Sequence, residues 1–177
     1  PKDYFFELCK LFWESRPTEP CMKHFIVSFY WKLSKAFEKN QSIVSVKKEM
    51  LNFITTYSKE QQQNINIIAE EFCKIKPKQC VVFTHCHSSI VEKAIKELHK
   101  KGKIKFVVNT ETRPLFQGRT TARNLTSAGI KVQHIVDSGA YAYAKLLQQK
   151  NEDVIFLTGA DVITNKGDLI NKIGTSQ

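Results

Sequence analysis

The sequence predicts an α/β protein with an N-terminal helical region, residues 1–77, followed by an α/β domain, residues 78–177. Two observations lead to this fold class. Up to about residue 76, apolar residues recur at the three-, four- and seven-residue spacing of amphipathic helices, whereas short β-rich runs begin at residue 80. Amphipathic segments alternate with those runs. Such alternation is typical of a Rossmann-like parallel sheet with flanking helices and right-handed crossovers.

The helical region divides at two points. The run KDYFFELCKLFWES is followed by SRPTEP, which interrupts the helix because the residue before a proline, here Arg16, is pushed out of helical geometry. Thr18 is placed to cap a second helix, with Pro20 in its first turn, that runs to about Glu38. Residues 43–76 then form one long helix or two abutting helices.

Four β-rich runs follow, and their nearly continuous apolar character predicts strands that are covered on both faces. Their starts lie about 25 residues apart. Gly102 and Gly129 follow the first two intervening helical segments, as helix C-terminal signals do. The predicted strands are CVVFTH, IKFVVNT, IKVQHIVD and DVIFLTG, and the helical segments between them are 88–101, 117–128 and 138–149.

Composition narrows the function classes. The formal charge is +10, from 27 basic and 17 acidic residues, which suits phosphorylated small molecules, nucleic acid or anionic membranes. We do not expect a nucleic-acid partner, because no Arg-rich tract or aromatic–basic interleaving occurs. No apolar run is long enough to span a membrane. Five scattered cysteines without a C-x-x-C pair predict reduced thiols in a cytoplasmic protein and argue against a zinc site. We expect no metal site and no cofactor.

Reactive side chains collect where the predicted strands end. In an open parallel sheet, ligands bind in the crevice beyond the carboxyl ends of the strands. Helix capping accounts for the hydroxyls of Ser88, Thr110 and Ser138, but it does not account for Cys86 or Asp161. The groups at the four strand ends are His85, Cys86 and His87; Glu111 and Arg113; Asp137 and Ser138; and Gly159, Ala160 and Asp161.

Four motifs in order resemble one superfamily: THCHSS, TETRPLFQGRTTARNL, GIKVQHIVDSGA and GADVITNKGDLINKIGTSQ. This superfamily contains methylthioribose-1-phosphate isomerase, ribose-1,5-bisphosphate isomerase and the regulatory subunits of translation initiation factor 2B. Its isomerase branch is marked by a cysteine after T-H and an aspartate in G-A-D, which are Cys86 and Asp161 here. The TETRP and NKIGTSQ stretches look closer to the archaeal ribose-1,5-bisphosphate isomerase than to the methylthioribose enzyme.

The resemblance implies isomerisation of ribose 1,5-bisphosphate to ribulose 1,5-bisphosphate. Phosphate on the anomeric carbon prevents simple ring opening, so paired acid–base groups are needed. We expect Cys86 to exchange the C2 proton and Asp161 to act at the ring oxygen or the hydroxyls. The expected groups for phosphate and sugar binding are Arg16, Arg113, Gln117, Asn171 and Lys172.

Further expectations concern neighbouring residues. Adjacent side chains in a strand point to opposite faces, so His85 and His87 are not expected to act with Cys86. Glu111 is expected to pair with Arg113 or a lysine, and Asp137 to cap a helix or meet another subunit. The family associates through its C-terminal half, which implies a homo-oligomer, a dimer or higher. Candidate contact residues are Tyr141, Tyr143, Leu146 and Leu147.

Two alternatives stay open. One keeps the chemistry and changes the substrate to methylthioribose 1-phosphate. The other is a non-catalytic, initiation factor 2B-like subunit that binds a nucleotide or a sugar phosphate. The upstream stretch SRPTEPCMKH resembles the R-P-T segment of this family. Enzymes of this kind carry an R-G-A loop well before that segment and further strands after the G-T-S-Q end. We therefore expect a sheet that is incomplete at its C-terminal end and a chain that is a fragment or a short form.

Overall fold

The computed structural model describes residues 2–15, 19–75 and 78–176. It divides the chain into two compact units. One unit comprises the residues up to Gln62 together with Asp161–Ile170, and the other comprises Gln63–Ala160 and Asn171–Gln177. The predicted α/β fold class is confirmed, whereas the domain boundary at residue 77 stays a prediction.

Three helices precede the first strand. They are α1 (Lys2–Ser15), α2 (Pro20–Glu38) and α3 (Ile43–Ile75). The N-cap of α2 is Glu19, whose side chain makes no capping bond, and the predicted cap at Thr18 lies outside the described residues. Pro20 does occupy the first turn, where its missing N–H costs nothing. Residues 43–75 form one unbroken helix rather than two.

An apolar contact area joins α2 to the first half of α3. Leu33 and Ala36 of α2 are buried with Val46 and Met50 of α3. Next to them, an aromatic cluster forms from Phe25 and Phe29 of α2 with Phe53 and Tyr57 of α3, with ring centroids 4.9–6.2 Å apart. The helical spacing of these residues in the sequence places them on facing stripes of the two helices.

A four-stranded parallel sheet is the centre of the second unit. Its strands are β1 (Cys80–Thr84), β2 (Ile104–Thr110), β3 (Val132–Ile135) and β4 (Val154–Phe156), in the order β3-β2-β1-β4. The four predicted strands and their parallel pairing are confirmed. All five residues of β1 are buried, as expected for a central strand with both faces covered.

Helices cover the two faces of this sheet. They are α4 (Ser89–Lys100), α5 (Gln117–Ser127) and α6 (Ala140–Gln149), with a short 3-10 turn at Asp137–Gly139 before α6. Gly102 and Gly129 adopt positive φ angles of 66° and 78° after α4 and α5, which confirms their role as C-terminal signals. One core cluster contains Val82, Ile95, Leu98, Val107 and Leu125, and the other contains Val81, Phe83, Val108 and Leu147.

The predicted caps are only partly correct. Ser88 caps α4 by accepting a bond from the Val91 N–H. The N-cap of α5 is Phe116, in the left-handed region, and that of α6 is Gly139. The predicted capping roles of Thr110 and Ser138 are therefore wrong.

An antiparallel hairpin that the sequence interpretation missed follows the G-A-D motif. Its strands are β5 (Val162–Ile163) and β6 (Leu169–Ile170), in the same unit as α1 and α2. The hydroxyl of Thr164 accepts a bond from the Asp168 N–H at 3.0 Å, and Gly167 has a φ of 86°. These turn features hold the tip of the hairpin.

Truncation of Leu98 tests the core of the second unit. Leu98 is fully buried, so we expect Leu98→Ala to lower the free energy of unfolding by about 2–5 kcal/mol through lost burial and a residual cavity. Urea titration measures this loss. Leu51→Ala, the same change at a half-exposed position of α3, should cost much less, and equal losses would contradict this view of the core.

Candidate active site at the carboxyl edge of the sheet

Cys86 lies just beyond the end of β1 in an uncommon backbone conformation. Its φ is 71°, in the left-handed region that non-glycine residues rarely enter. The Cys86 N–H donates to the hydroxyl of Thr112 at 2.9 Å, and its carbonyl accepts from the hydroxyl of Thr121 at 3.0 Å. Two side chains from other elements therefore fix the backbone that carries the thiol.

The thiol of Cys86 contacts the first residue of α5. Its sulfur lies 3.6 Å from the Oε1 atom of Gln117, so the thiol donates to the amide oxygen. The positive end of the α5 macrodipole favours negative charge at this position. The structure thus brings together two predicted site residues, Cys86 and Gln117, and Gln117 aims the sulfur.

Thr112 and Asp137 form the support behind Cys86. Thr112 is buried and has a φ of 61°, which is strained for a β-branched residue. The N–H groups of Thr112 and Arg113 each donate to one carboxylate oxygen of Asp137, both at 2.7 Å. Asp137 therefore binds the loop after β2 instead of capping a helix, which corrects the first of its two predicted roles. Contact with another subunit stays a prediction.

Electrostatics at Asp137 follow from these bonds. Burial raises the pKa of the Asp137 carboxyl, but the N–H groups of Arg113 and Thr112 and the hydroxyl of Thr110 lower it by more. The resulting pKa of Asp137 lies below its ordinary value. The carboxylate is thus the form that stabilises the loop.

Arg113 presents a cation at the same edge. Its Nε donates to Glu111 at 2.7 Å, which confirms the predicted pairing and raises the pKa of the Arg113 guanidinium. The guanidinium lies over the ring of Phe116, as does that of Arg119, at 5.1 Å and 3.9 Å from the centroid. Arg119 is a second exposed cation that the sequence interpretation missed. The sequence alone does not indicate that Arg119 and Arg113 lie over the same aromatic ring.

Asn171 and Lys172 lie in a turn that is tied to β4. The Asn171 amide donates to the hydroxyls of Thr158 and Thr175, at 2.7 Å and 3.2 Å. The Thr175 hydroxyl donates to the Lys172 carbonyl at 2.6 Å. Asn171 therefore uses its side chain to order the turn, while Lys172 is half-buried with its carbonyl inside the turn.

Two glycines allow the backbone to pack closely at this edge. A Cβ atom on Gly118 would lie 1.8 Å from the Thr110 carbonyl oxygen, so α5 can begin here only with glycine at that position. A Cβ atom on Gly159 would lie 3.0 Å from the side chain of Ser88. Gly118 thus allows the start of α5, with Gln117, to lie close to the end of β2.

Arg16 and Asp161 are the two remaining predicted site residues. Arg16 lies outside the described residues. Asp161 is exposed and belongs to the unit with the β5–β6 hairpin, where its N–H donates to the Ile170 carbonyl at 2.8 Å. The convergence of Asp161 with Cys86 therefore stays a prediction.

His87 contacts a residue that supports Cys86, not the thiol. Its Nδ1 lies 3.1 Å from the Thr121 hydroxyl and 3.8 Å from Glu92. Because that hydroxyl donates its proton to the Cys86 carbonyl, Nδ1 of His87 must be the donor to Thr121. Burial raises the pKa of Glu92, but hydrogen bonds from Lys96 and Asn124 lower it by more, so the pKa lies below its ordinary value.

The described residues contain neither a metal-binding cluster nor a membrane-spanning helix. Across residues 2–15, 19–75 and 78–176, no group of three or more His, Cys, Asp and Glu side chains is arranged to hold a metal ion. Within those ranges, no helix has both the length and the apolar character that crossing a membrane requires. The five cysteines all lie in the described residues, and no disulfide joins them.

Residues 7–177 match the initiation factor 2 subunit family. The chain belongs to this family. The match covers nearly the whole sequence and confirms the resemblance that the four motifs indicated.

Individual relatives agree with this assignment. The ribose 1,5-bisphosphate isomerase of Archaeoglobus fulgidus is 41% identical over 140 residues, which cover 79% of this chain and 41% of the relative. That of Pyrococcus furiosus is 32% identical and covers 96% of this chain and 51% of the relative. The crystal structure of 5-methylthioribose 1-phosphate isomerase from Pyrococcus horikoshii has a TM-score of 0.73 and 23% identity, covering 97% of this chain and 49% of that chain. This structural likeness shows the fold, and the chain spans about half the length of these relatives.

The pKa of Asp137 yields a stability prediction. Because its pKa is lowered on folding, ionised Asp137 stabilises the protein above the ordinary carboxyl pKa of about 3.9, and this contribution is lost as the pH falls through the folded value. We expect Asp137→Asn to lower the free energy of unfolding at pH 7, measured by urea titration, by about 1.5–3 kcal/mol. The gap to the wild type should close at an acidic pH below the lowered pKa of Asp137.

Leu98→Ala is the control for this prediction, because it removes no titratable group. Its destabilisation should be the same at both pH values. A gap for Asp137→Asn that stays constant with pH would contradict a stabilising role for the carboxylate.

Proposed function

We propose that this protein is a sugar-phosphate isomerase that converts ribose 1,5-bisphosphate to ribulose 1,5-bisphosphate. The observation that carries the proposal is the thiol of Cys86, which is held beyond the end of β1 and aimed by Gln117 at the start of α5. Relatives named ribose 1,5-bisphosphate isomerase, at 41% and 32% identity, support the same chemistry and substrate.

The reaction requires three coupled changes in the substrate. The C2 hydrogen is transferred to C1, the C2 hydroxyl loses its proton to become a carbonyl, and the bond between C1 and the ring oxygen breaks as that oxygen gains a proton. In our proposal, the Cys86 sulfur takes the C2 proton and returns it to C1. Asp161 moves the proton between the C2 hydroxyl and the ring oxygen, so that no proton is gained or lost overall.

Cationic groups supply the binding of the phosphates. Arg113 is two-thirds exposed with its guanidinium at the sheet edge, and the Lys172 turn follows β4. Arginine and lysine bind phosphate oxygens through charge-assisted hydrogen bonds. We propose that Arg113, Lys172 and Arg16 hold the substrate phosphates, and that Gln117 and Asn171 contact the substrate through atoms left available after their bonds within the protein.

A homo-oligomer, dimer or higher, is part of the proposal. Of the residues considered for the contact, Leu147 is buried in the core and Tyr143 packs against it, so these two are explained by core packing. Tyr141 and Leu146 of α6 are exposed and are the better candidates. Light scattering at micromolar concentration that gave a monomer mass would oppose this part of the proposal.

Removal of either reactive group should abolish turnover without abolishing binding. We expect Cys86→Ala and Asp161→Asn each to lower kcat by about 10²–10⁴-fold, because each removes an acid–base group. The measurement is formation of ribulose 1,5-bisphosphate, followed by phosphorus NMR. Deuterium incorporation at C1 in D₂O reports the proton transfer directly.

Two results would change the assignment. A wild-type protein that binds ribose 1,5-bisphosphate without converting it would indicate a regulatory subunit. Faster conversion of methylthioribose 1-phosphate than of the bisphosphate would indicate the other isomerase. Cys21→Ala is the matched control, because this exposed thiol on α2 should not affect turnover.

Replacement of Lys172 tests phosphate binding separately from catalysis. We expect Lys172→Met to raise KM for ribose 1,5-bisphosphate about ten- to a hundredfold while changing kcat less, because one charge-assisted bond contributes about 1.5–3 kcal/mol. Lys166→Met, in the exposed hairpin turn, serves as the control. Equal KM values for Lys172→Met and the wild type would remove Lys172 from the site.

A further inference from the structure

His85 is a buried residue that the proposed chemistry leaves unused. Its side chain is 5% exposed, and both ring nitrogens have partners. Nδ1 lies 2.5 Å from the Thr110 hydroxyl at the end of β2, and Nε2 lies 3.0 Å from the Ile173 carbonyl. One ring therefore joins two strand ends to the turn that carries Lys172.

The partner of Nε2 fixes where a ring proton resides. A carbonyl oxygen can only accept a hydrogen bond, so Nε2 must carry a proton whether the ring is neutral or charged. The bond from His85 to Ile173 is thus directional, with the ring as donor. Its acceptor is a backbone atom, so the position of the main chain itself is held.

The turn at 171–175 has two attachments to the sheet in the described residues. Asn171 donates to Thr158 just after β4, and Ile173 accepts from His85 just after β1. Lys172 lies between these two attached residues. The side chain of Ile173 is 89% exposed, so side-chain packing contributes little there and the imidazole bond holds this part of the turn.

We propose that His85 is a positioning residue for Lys172, acting through the Ile173 carbonyl. This inference rests on the proposed function, because it assigns Lys172 to the phosphate of the substrate. With the Ile173 carbonyl held, the Lys172 ammonium explores fewer positions before substrate arrives, and less conformational freedom is lost on binding. In this proposal His85 acts on the turn that carries Lys172, so it affects substrate binding rather than proton transfer.

Two substitutions separate the two ring nitrogens. In His85→Gln, the amide nitrogen can occupy the place of Nε2 and donate to the Ile173 carbonyl. In His85→Asn, the shorter amide reaches the place of Nδ1 but not the carbonyl. We expect His85→Asn to raise KM about three- to tenfold with little change in kcat, as loss of one ordinary hydrogen bond implies, and His85→Gln to restore KM.

Hydrogen exchange of the backbone amides tests the role of His85 in the absence of substrate. The Thr175 N–H donates to the Lys172 carbonyl at 3.1 Å, and loosening the turn should expose this amide to hydrogen exchange. We expect faster exchange of residues 171–176 in His85→Asn and near-wild-type exchange in His85→Gln. Thr158→Val, which removes the other attachment, should also accelerate exchange, and His24→Asn, on the exposed surface of α2, should not.

Several outcomes would overturn the inference. One is a folded His85→Asn protein with wild-type KM and wild-type exchange at 171–176. Another is equal impairment of the Asn and Gln variants, which would indicate a steric role for the ring. If His85→Asn does not fold, the nitrogen NMR spectrum of the wild-type ring decides, because a ring protonated only at Nδ1 is incompatible with the bond to Ile173.

The exchange arm also keeps this inference separate from the proposed function. If the wild type converts no sugar phosphate, the function proposal fails, but the exchange pattern of the two His85 variants still reports whether the ring holds the turn. If turnover is present and the exchange pattern is unchanged, the function stands and the role of His85 fails.

Discussion

The carboxylate of Asp137 holds the loop after β2 through two backbone N–H groups, and the proposed site depends on that arrangement. Its two bonds fix Thr112 and Arg113 just beyond the sheet. The hydroxyl of Thr112 then accepts the Cys86 N–H. A single carboxylate on the β3 side thus determines where the thiol at the end of β1 is placed, through one intervening residue.

The hydrogen bonds to Asp137 are strong enough to offset the free-energy cost of the strained backbone at this edge. Cys86 and Thr112 both have φ angles in the left-handed region, and such residues cost about 1–3 kcal/mol each. Two hydrogen bonds to a charged carboxylate contribute about 1.5–3 kcal/mol each. In this conformation the Cys86 thiol contacts Gln117 at the start of α5.

The sequence predicted the strands, their order of appearance and Cys86 at a strand end, because apolar runs and helix C-terminal glycines are local signals. It did not predict Thr112, Thr121 or His85 as supports, because their partners lie on other elements and depend on strand order. The capping role assigned to Thr110 failed for the same reason, since its hydroxyl lies against His85 across the sheet. Asp161 and Arg16 were predicted from motifs alone. A motif identifies a residue but does not determine its distance from Cys86.

The parallel register explains why the missed contacts have a regular spacing. Thr84 pairs with Asn109 and Thr110 pairs with Ile135, so equivalent positions on neighbouring strands are 25 residues apart. The bonds from His85 to Thr110 and from Thr112 to Asp137 have this same separation of 25. Strand starts about 25 residues apart were visible in the sequence, and together with the strand order β3-β2-β1 they place each of these pairs at one level of the sheet edge. A polar residue just after one strand therefore contacts the polar residue 25 positions later, just after the neighbouring strand. Such contacts between strand ends build the site from side chains that are remote in sequence.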